Sequence, residues 1–134
     1  LRAHGIDPAG RRVTVVGRSL VIGRPAALLL TRADATVTLC HRKTPDLAAR
    51  CRDADILLAA AGAPGLITTD FVRPGQIVLD AGATALPDGT LRGDVAPDAA
   101  AIAVCTPVPG GIGSVTTALL LRHTVQAAEN LRHF

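Results

Sequence analysis

The fold of this 134-residue chain is decided by one glycine-punctuated stretch, Val15-Val16-Gly17-Arg18-Ser19-Leu20-Val21-Ile22-Gly23-Arg24-Pro25. It joins a β-branched run at 12–16 to a run of helix formers at 22–32, so a buried strand leads directly into a helix. Pro25 is compatible with that helix because it falls in the first turn, where a backbone N–H is not needed. A strand followed by a helix is the opening unit of a parallel α/β sheet.

Short apolar runs and longer helical patterns continue to alternate along the chain. The predicted strands are 12–16, 35–39, 54–60, 76–80 and 101–105, and the predicted helices are 22–32, 45–52 and 115–131. A helix end over 1–6, a short helical turn over 68–72 and a hairpin around the Asp88-Gly89 step complete the pattern. The sequence therefore predicts an α/β, Rossmann-like fold, a doubly wound and mainly parallel sheet with helices on both faces. Thr44 is the expected N-cap of the second helix, and Ser114 or Thr116 that of the last.

The composition bounds the class of protein. The chain has 14 Lys and Arg against 11 Asp and Glu, 49% hydrophobic residues, two Phe and no Tyr, Trp or Met. This length suffices for one domain, which we expect to span 1–134 around a core of Ala, Leu, Val and Ile. Nucleic acid is a poor fit as a ligand, because single-strand binding depends on stacking aromatic side chains.

The cysteines and the hydropathy pattern indicate the cellular setting of the chain. Three cysteines without Cys-x-x-Cys spacing argue against a disulfide framework or a zinc site, so we expect a reducing, cytoplasmic setting. No apolar stretch reaches the roughly 20 residues that span a bilayer, so we expect no membrane partner. His41 beside Cys40 is a poor metal site, because adjacent strand residues point to opposite faces.

The glycine-punctuated turn is the first candidate site. In a βαβ unit such a turn faces a nucleotide phosphate: Gly17 lets the backbone approach, Ser19 can hydrogen-bond, and the helix start presents free N–H groups. The spacing is G-x-S-x-x-x-G rather than G-x-G-x-x-G. A purely structural strand-to-helix turn therefore remains an alternative.

The end of the second strand bears on which dinucleotide fits. A site for NAD usually places Asp or Glu there, to accept a hydrogen bond from the ribose 2′-hydroxyl. This chain has Cys40-His41-Arg42-Lys43 instead, and Arg18 and Arg24 lie in the neighbouring turn. These cations favour the 2′-phosphate of NADP. The alternative is that Arg42 and Lys43 are ordinary solvated residues.

Two later features are less decisive. The segment 106–113 holds two prolines and three glycines before the last helix, so it is either a close-approach ligand loop or merely a rigid one. Asp80 closes a predicted strand at the edge where α/β sheets bind ligands, and a turn-capping role explains it equally well.

Together these segments resemble one family, the bifunctional methylenetetrahydrofolate dehydrogenase/methenyltetrahydrofolate cyclohydrolase (FolD) proteins. The family's cofactor turn, Val-Gly-Arg-Ser, three residues and Gly-x-Pro, is matched at 16–25, and its Thr-Val-Thr-x-Cys-His strand end at 36–41. Its long, specific Thr-Pro-Val-Pro-Gly-Gly-x-Gly signature is matched at 106–113. The similarity covers nearly the whole chain from Gly10 onward.

The resemblance implies the NADP-binding domain of an enzyme of one-carbon metabolism and purine biosynthesis. Such enzymes oxidise 5,10-methylenetetrahydrofolate by hydride transfer to NADP and hydrolyse the methenyl product to 10-formyltetrahydrofolate, and they are homodimers. The resemblance assigns the cofactor-binding positions as follows: Gly17, Arg18 and Ser19 at the phosphates, with Arg18 near the 2′-phosphate; His41 and Arg42 at the ribose phosphate; Ala60 and Gly62 along the crevice; Ala83 by the nicotinamide half; and Thr116 from the closing loop.

The chain departs from the family pattern at two places. It has Gly82-Ala83-Thr84 where the family has Gly-Ile-Asn, and Gly113-Ser114-Val115-Thr116 where the family has Gly-Pro-Met-Thr. Both departures lie on the cofactor and folate side of the crevice. They bear on cofactor affinity and turnover more than on the fold.

The family's proton chemistry and most of its folate pocket belong to an N-terminal domain. That domain supplies a Tyr and a Lys, whereas this chain has no Tyr and only one Lys, Lys43. We expect 1–9 to be the tail of the helix that leads from the N-terminal domain. The chain is thus expected to have no catalytic residue of its own and to meet tetrahydrofolate only through that absent domain. The alternative is a catalytically inactive, stand-alone dinucleotide-binding or subunit-interaction module.

Overall fold

The computed structural model describes residues 1–131. Its strands are β1 (Arg12–Val16), β2 (Thr36–Cys40), β3 (Ile56–Ala59), β4 (Ile77–Asp80), β5 (Thr84–Ala85), β6 (Leu91–Arg92) and β7 (Val104–Cys105). Its helices are α1 (Gly23–Arg32), α2 (Leu47–Asp53), α3 (Pro97–Ile102) and α4 (Ile112–Leu131). Five strands form one parallel sheet in the order β2-β1-β3-β4-β7, and β5 and β6 form the antiparallel hairpin that the sequence predicts. The α/β, Rossmann-like architecture is confirmed.

Alternating side chains of the central strands pack on the two faces of the sheet. Val13 and Val15 of β1 point into one apolar cluster, which includes the inward side chains of α1. Val16 points into the other cluster, together with Leu57 of β3 and residues of α2 and α3. Burial of each such side chain stabilises the fold by about 1.5–3 kcal/mol. Both faces are covered, which is why residues 13–16 and the whole of β3 are buried.

The carboxyl ends of four neighbouring strands stand in a row. The Gly17 N–H donates to the carbonyl oxygen of Cys40 at 2.9 Å, the Ala60 N–H to Val16 at 2.8 Å, and the Ala81 N–H to Ala59 at 2.8 Å. The chain passes from β1 to β2 on one side and then crosses to β3 on the other side of β1. Ligands of open α/β sheets bind at such a switch point, outside the carboxyl ends of the strands.

Several predicted boundaries are wrong. The segment 101–105 is not one strand, because Pro97–Ile102 forms α3 and only Val104–Cys105 pairs with β4. Pro97 at the first helical turn, followed by an Ala-rich run, is itself a helix start. The helix end predicted at 1–6 is a single 3-10 turn, Arg2–His4, ended by Gly5 with φ 65°.

The two predicted helix caps are also wrong. The hydroxyl oxygen of Thr44 accepts a hydrogen bond from the His41 N–H at 2.9 Å, while α2 begins later, after Asp46. The last helix begins at Ile112, so Ser114 and Thr116 lie inside it. The Thr116 hydroxyl instead donates back to the carbonyl oxygen of Ile112 at 3.1 Å, which is the ordinary behaviour of Thr within a helix.

The last helix contrasts with the rest of the fold. α4 runs for 20 residues, and none of its side chains is buried within residues 1–131. Its large exposed apolar residues are Val115, Leu119, Leu120, Leu121, Val125 and Leu131. No helix in the described part of the chain has both the length and the apolar character needed to cross a bilayer. From the sequence, His133 is expected at the surface, but residues 132–134 lie outside the described residues.

Candidate cofactor site

The turn after β1 is folded tightly against the loop after β3. Gly17 has φ 120°, and a Cβ at this position would strike the backbone carbonyl of Ala60. A Cβ on Gly23 would in turn strike the carbonyl of Gly17. Both glycines are therefore required for the turn to bend back under the start of α1. This close approach distinguishes the segment from a generic strand-to-helix connection.

Ser19 caps the helix that follows. Its Oγ accepts hydrogen bonds from the N–H groups of Ile22 at 3.0 Å and Gly23 at 3.4 Å. Because the hydroxyl is accepting at both contacts, its own proton is left to donate outward. Ser19 is exposed, so that donor is open to a ligand.

The helix start does not present the free N–H groups that the sequence predicts. The Arg24 N–H donates to the Ser19 carbonyl oxygen at 3.1 Å, the Ala26 N–H donates to Ile22 at 2.9 Å, and Pro25 has no N–H. The free donors lie one step earlier, since the N–H groups of residues 18–20 have no protein acceptor within residues 1–131. An anion here would bind the turn itself, with the positive end of the α1 dipole behind it.

A second turn holds the basic residues after β2. The Lys43 N–H donates to His41 Nδ1 at 3.1 Å, and the Thr44 N–H donates to the His41 carbonyl oxygen at 2.8 Å. With Nδ1 accepting, the neutral ring carries its proton on Nε2. Arg42 is exposed at the tip of this turn. The ion pairs of residues 1–131 join Arg12 and Arg73 to acids at the opposite edge, so Arg18 and Arg42 remain open to an anion.

Two buried carboxylates lie at the far end of the same row of loops. Asp80, at the end of β4, is 3% exposed, and Asp94 is 0% exposed. Asp80 accepts hydrogen bonds from the N–H groups of Gly82 at 2.9 Å, Asp94 at 3.0 Å and Val95 at 3.0 Å. The turn-capping role considered for Asp80 is present in the Gly82 bond, and the other two bonds join a distant segment to it.

Asp94 binds the loop after β3. Its Oδ2 accepts from the N–H groups of Ala61 at 2.5 Å and Gly62 at 3.0 Å, and its Oδ1 from Ala63 at 2.8 Å. Three successive backbone N–H groups form a concave nest that suits an anion. Here a side chain of the protein itself fills the nest.

The remaining predicted positions fall around this row of loops. Ala60 is buried at the end of β3, while Gly62 and Ala83 are exposed at the crevice edge. Thr116 is exposed too, but it lies in the first turns of α4 rather than in the closing loop, which corrects that expectation. Among residues 1–131, no three His, Cys, Asp or Glu side chains are grouped closely enough to hold a metal ion.

The cysteines are thiols in this fold. Cys40 and Cys51 are buried, and Cys105 is half-buried. Burial, with a smaller contribution from the nearby Cys40, raises the pKa of Cys51 to about 12. Burial and the neighbouring Asp80 carboxylate raise the pKa of Cys105 to about 11. Thiols with such pKa values are poor nucleophiles at neutral pH.

Sequence reasoning missed Asp94 as part of the site and did not single out Thr106 within the loop at 106–113. The Thr106 Oγ1 accepts a hydrogen bond from the Asp80 N–H at 2.9 Å, which ties the loop at 106–113 to β4. The sequence signal that could have indicated a buried Asp94 is its placement between Gly93 and Val95. A lone acid there is buried only if other groups satisfy it, but the sequence does not reveal which ones.

Comparisons with known proteins point to one family. The family described as "Tetrahydrofolate dehydrogenase/cyclohydrolase, NAD(P)-binding domain" matches residues 1–132. The chain is 61% identical over 129 residues to bifunctional protein FolD 1 of Rhodococcus jostii, covering 93% of this chain and 43% of that protein. It is 56% identical over 131 residues to FolD of Chloroflexus aurantiacus, covering 95% of this chain and 45% of that protein. The chain thus spans less than half the length of these relatives.

Solved structures share the fold. FolD of Campylobacter jejuni superimposes with a TM-score of 0.90 at 42% identity, over 97% of this chain and 47% of that one. FolD of Trypanosoma brucei, whose structure is complexed with NADP cofactor and an inhibitor, superimposes with a TM-score of 0.84 at 43% identity. That match covers 93% of this chain and 46% of the other.

Proposed function

Because this chain belongs to the tetrahydrofolate dehydrogenase/cyclohydrolase family through its NAD(P)-binding domain, we propose that it binds NADP along the carboxyl ends of β2, β1, β3 and β4. One observation carries the proposal. The turn at Gly17 is folded onto the loop after β3, with free N–H groups at 18–20 and the basic turn after β2 beside it.

The pyrophosphate binds at the turn after β1. Its donors are the free N–H groups of 18–20 and the outward hydroxyl of Ser19. The 2′-phosphate binds between Arg18 and Arg42, beside His41, because these side chains are exposed or half-buried and the register of β1 with β2 places the two turns side by side. Guanidinium groups bind phosphate through paired N–H donors.

The nicotinamide half extends toward β4. The strands from β2 to β4 cover three spacings, about 14 Å. This length supports the assignment of the loops that hold Ala60, Gly62 and Ala83 to the nicotinamide half. NADP, when bound, supplies the hydride acceptor. This chain contributes binding, orientation and the wall of the crevice. Thr116, in the first turns of α4, is assigned to contact the cofactor from that helix.

The protein that carries this chain acts on a folate. We infer that it oxidises 5,10-methylenetetrahydrofolate by hydride transfer to NADP and hydrolyses the methenyl product to 10-formyltetrahydrofolate, with the proton chemistry on a domain outside this chain. The names of the FolD relatives and their greater length support this. A homodimer, a cytoplasmic setting and a role in purine biosynthesis belong to the same proposal and rest on the resemblance and on the free thiols.

Calorimetric titration of the chain with NADP and NAD tests the cofactor assignment. We expect NADP to bind at least tenfold more tightly than NAD, and Arg42→Glu to weaken NADP by about a hundredfold and NAD by only a few-fold, because the substitution repels the 2′-phosphate. Arg11→Glu, at the opposite edge of the sheet, is the matched control and should change neither. Equal losses for the two cofactors would overturn the specificity assignment.

A further inference from the structure

Buried carboxylates tie together the loops proposed to receive the nicotinamide half. They add to the backbone hydrogen bonds between 65–67 and 93–96 and to the burial of Ile67 and Val95 in one apolar cluster. Asp80 holds the loop after β4 and the segment at Asp94, and Asp94 holds the loop after β3. Thr106 joins the loop before α4 to the same group through the Asp80 N–H. Among residues 1–131, no Lys or Arg side chain forms an ion pair with either Asp. Backbone N–H groups are their partners.

The two carboxylates pack closely against glycine backbone. A Cβ on Gly82 would lie 2.6 Å from the Asp94 carboxyl carbon, and a Cβ on Gly93 would strike the Asp80 carboxylate. Both carboxylates thus press directly on backbone. A buried group that is fully hydrogen-bonded specifies one conformation, because any other leaves it unsatisfied.

From these contacts we propose that Asp94, held in place by Asp80, is a positioning residue for the nicotinamide half of NADP. It fills the nest at 61–63, so a cofactor phosphate cannot bind there and the pyrophosphate is directed to the turn after β1. It also fixes the loops after β3 and β4 relative to each other. This inference rests on the proposed binding of NADP.

The test compares the whole cofactor with its adenosine half. Binding of NADP and of 2′,5′-ADP, which lacks the nicotinamide half, is measured by calorimetry on the wild-type chain and on Asp94→Asn. We expect the dissociation constant of NADP to rise about tenfold in Asp94→Asn, and that of 2′,5′-ADP to change less than twofold. A general loss of structure would weaken both ligands. Val78→Ala, which removes a buried side chain of β4, controls for lowered stability and should alter neither constant.

A second pair of variants covers the case in which Asp94→Asn does not fold. Thr106→Val keeps the shape of the side chain but removes the acceptor for the Asp80 N–H, whereas Thr106→Ser keeps it. We expect Thr106→Val to weaken NADP about threefold with 2′,5′-ADP unchanged, and Thr106→Ser to bind both as the wild type does. Equal effects on the two ligands, or no effect on either, would overturn the positioning role. A wild-type chain that binds neither ligand would overturn the proposed function instead.

Discussion

At the β2 end of the crevice, Arg18 and Arg42 are exposed and pair with no acid within residues 1–131. At the β4 end, by contrast, Asp80 and Asp94 are buried and together accept six hydrogen bonds from backbone N–H groups. The cations contribute little to folding and stay available to a ligand. The carboxylates are consumed by the fold and shape the loops that a ligand meets. Charged residues at one site can therefore serve either ligand recognition or the architecture of the fold, and burial decides which.

The largest expected effect on stability comes from a substitution at the carboxylate end of the crevice. Gly93→Ala places a methyl group against the Asp80 carboxylate, and we expect the free energy of unfolding to fall by about 3 kcal/mol, since overpacking adds to lost buried hydrogen bonds. Gly89→Ala is the control, because a Cβ there meets open space and only the φ of 81° is strained, which costs about 1 kcal/mol. Urea denaturation measures both variants. Equal losses would show that the carboxylate packing contributes no stability.

An intermediate effect is expected at Ser19, a residue of the basic end that also serves the fold. Ser19→Ala removes the acceptor for the N–H groups of Ile22 and Gly23, so the free energy of unfolding should fall by about 1 kcal/mol. Arg18→Ala, its neighbour, should change stability by less than about 0.5 kcal/mol. Thermal and urea unfolding of the two variants would separate them. A Ser19→Ala variant as stable as Arg18→Ala would show that the Ser19 hydroxyl does not stabilise the fold.

The smallest expected effect lies at the opposite edge of the sheet, where Arg12 binds Asp55 in the open. The side-chain hydrogen bond from Arg12 holds the pKa of Asp55 below its ordinary value of 3.8. The unfolded state therefore binds the proton more tightly, so this contribution is present above pH 3.8 and is lost as the pH falls through the lower folded pKa. We expect Asp55→Asn to cost a little stability at neutral pH and nothing in strong acid.

Urea unfolding of the wild type and Asp55→Asn at about pH 7 and about pH 2 checks this prediction. Asp53→Asn is the comparison, because Asp53 makes a single contact with Arg12, at 2.6 Å. At neutral pH, we expect Asp53→Asn to lower the free energy of unfolding by less than Asp55→Asn does. A stability gap between the wild type and Asp55→Asn that persists in acid would contradict the assignment.

Residues with strong local signals were placed correctly from sequence. The strand predicted at 12–16 is present, and its Val13 and Val15 are buried in one apolar cluster. The hairpin predicted around the Asp88-Gly89 step is also present, with Gly89 at a φ of 81°, as turn chemistry requires. The family resemblance drawn from 16–25 and 106–113 is confirmed. The short helix α3 and the start of α4 were misjudged, because a short Ala-rich run or a glycine-rich entry fits either a helix or another element until its tertiary partners are known.

By itself the sequence determined the parallel α/β fold, the glycine turn and the excess of cations after β2, because each depends on residue type and periodicity over a few neighbours. Only the tertiary structure decided that Ser19 caps α1, that the free donors lie at 18–20 rather than in the helix, and that Asp94 fills the nest at 61–63. Asp94 and Gly62 are 32 positions apart in the chain. A hydrogen bond across that separation exists only when the sheet brings the carboxyl ends of its strands together.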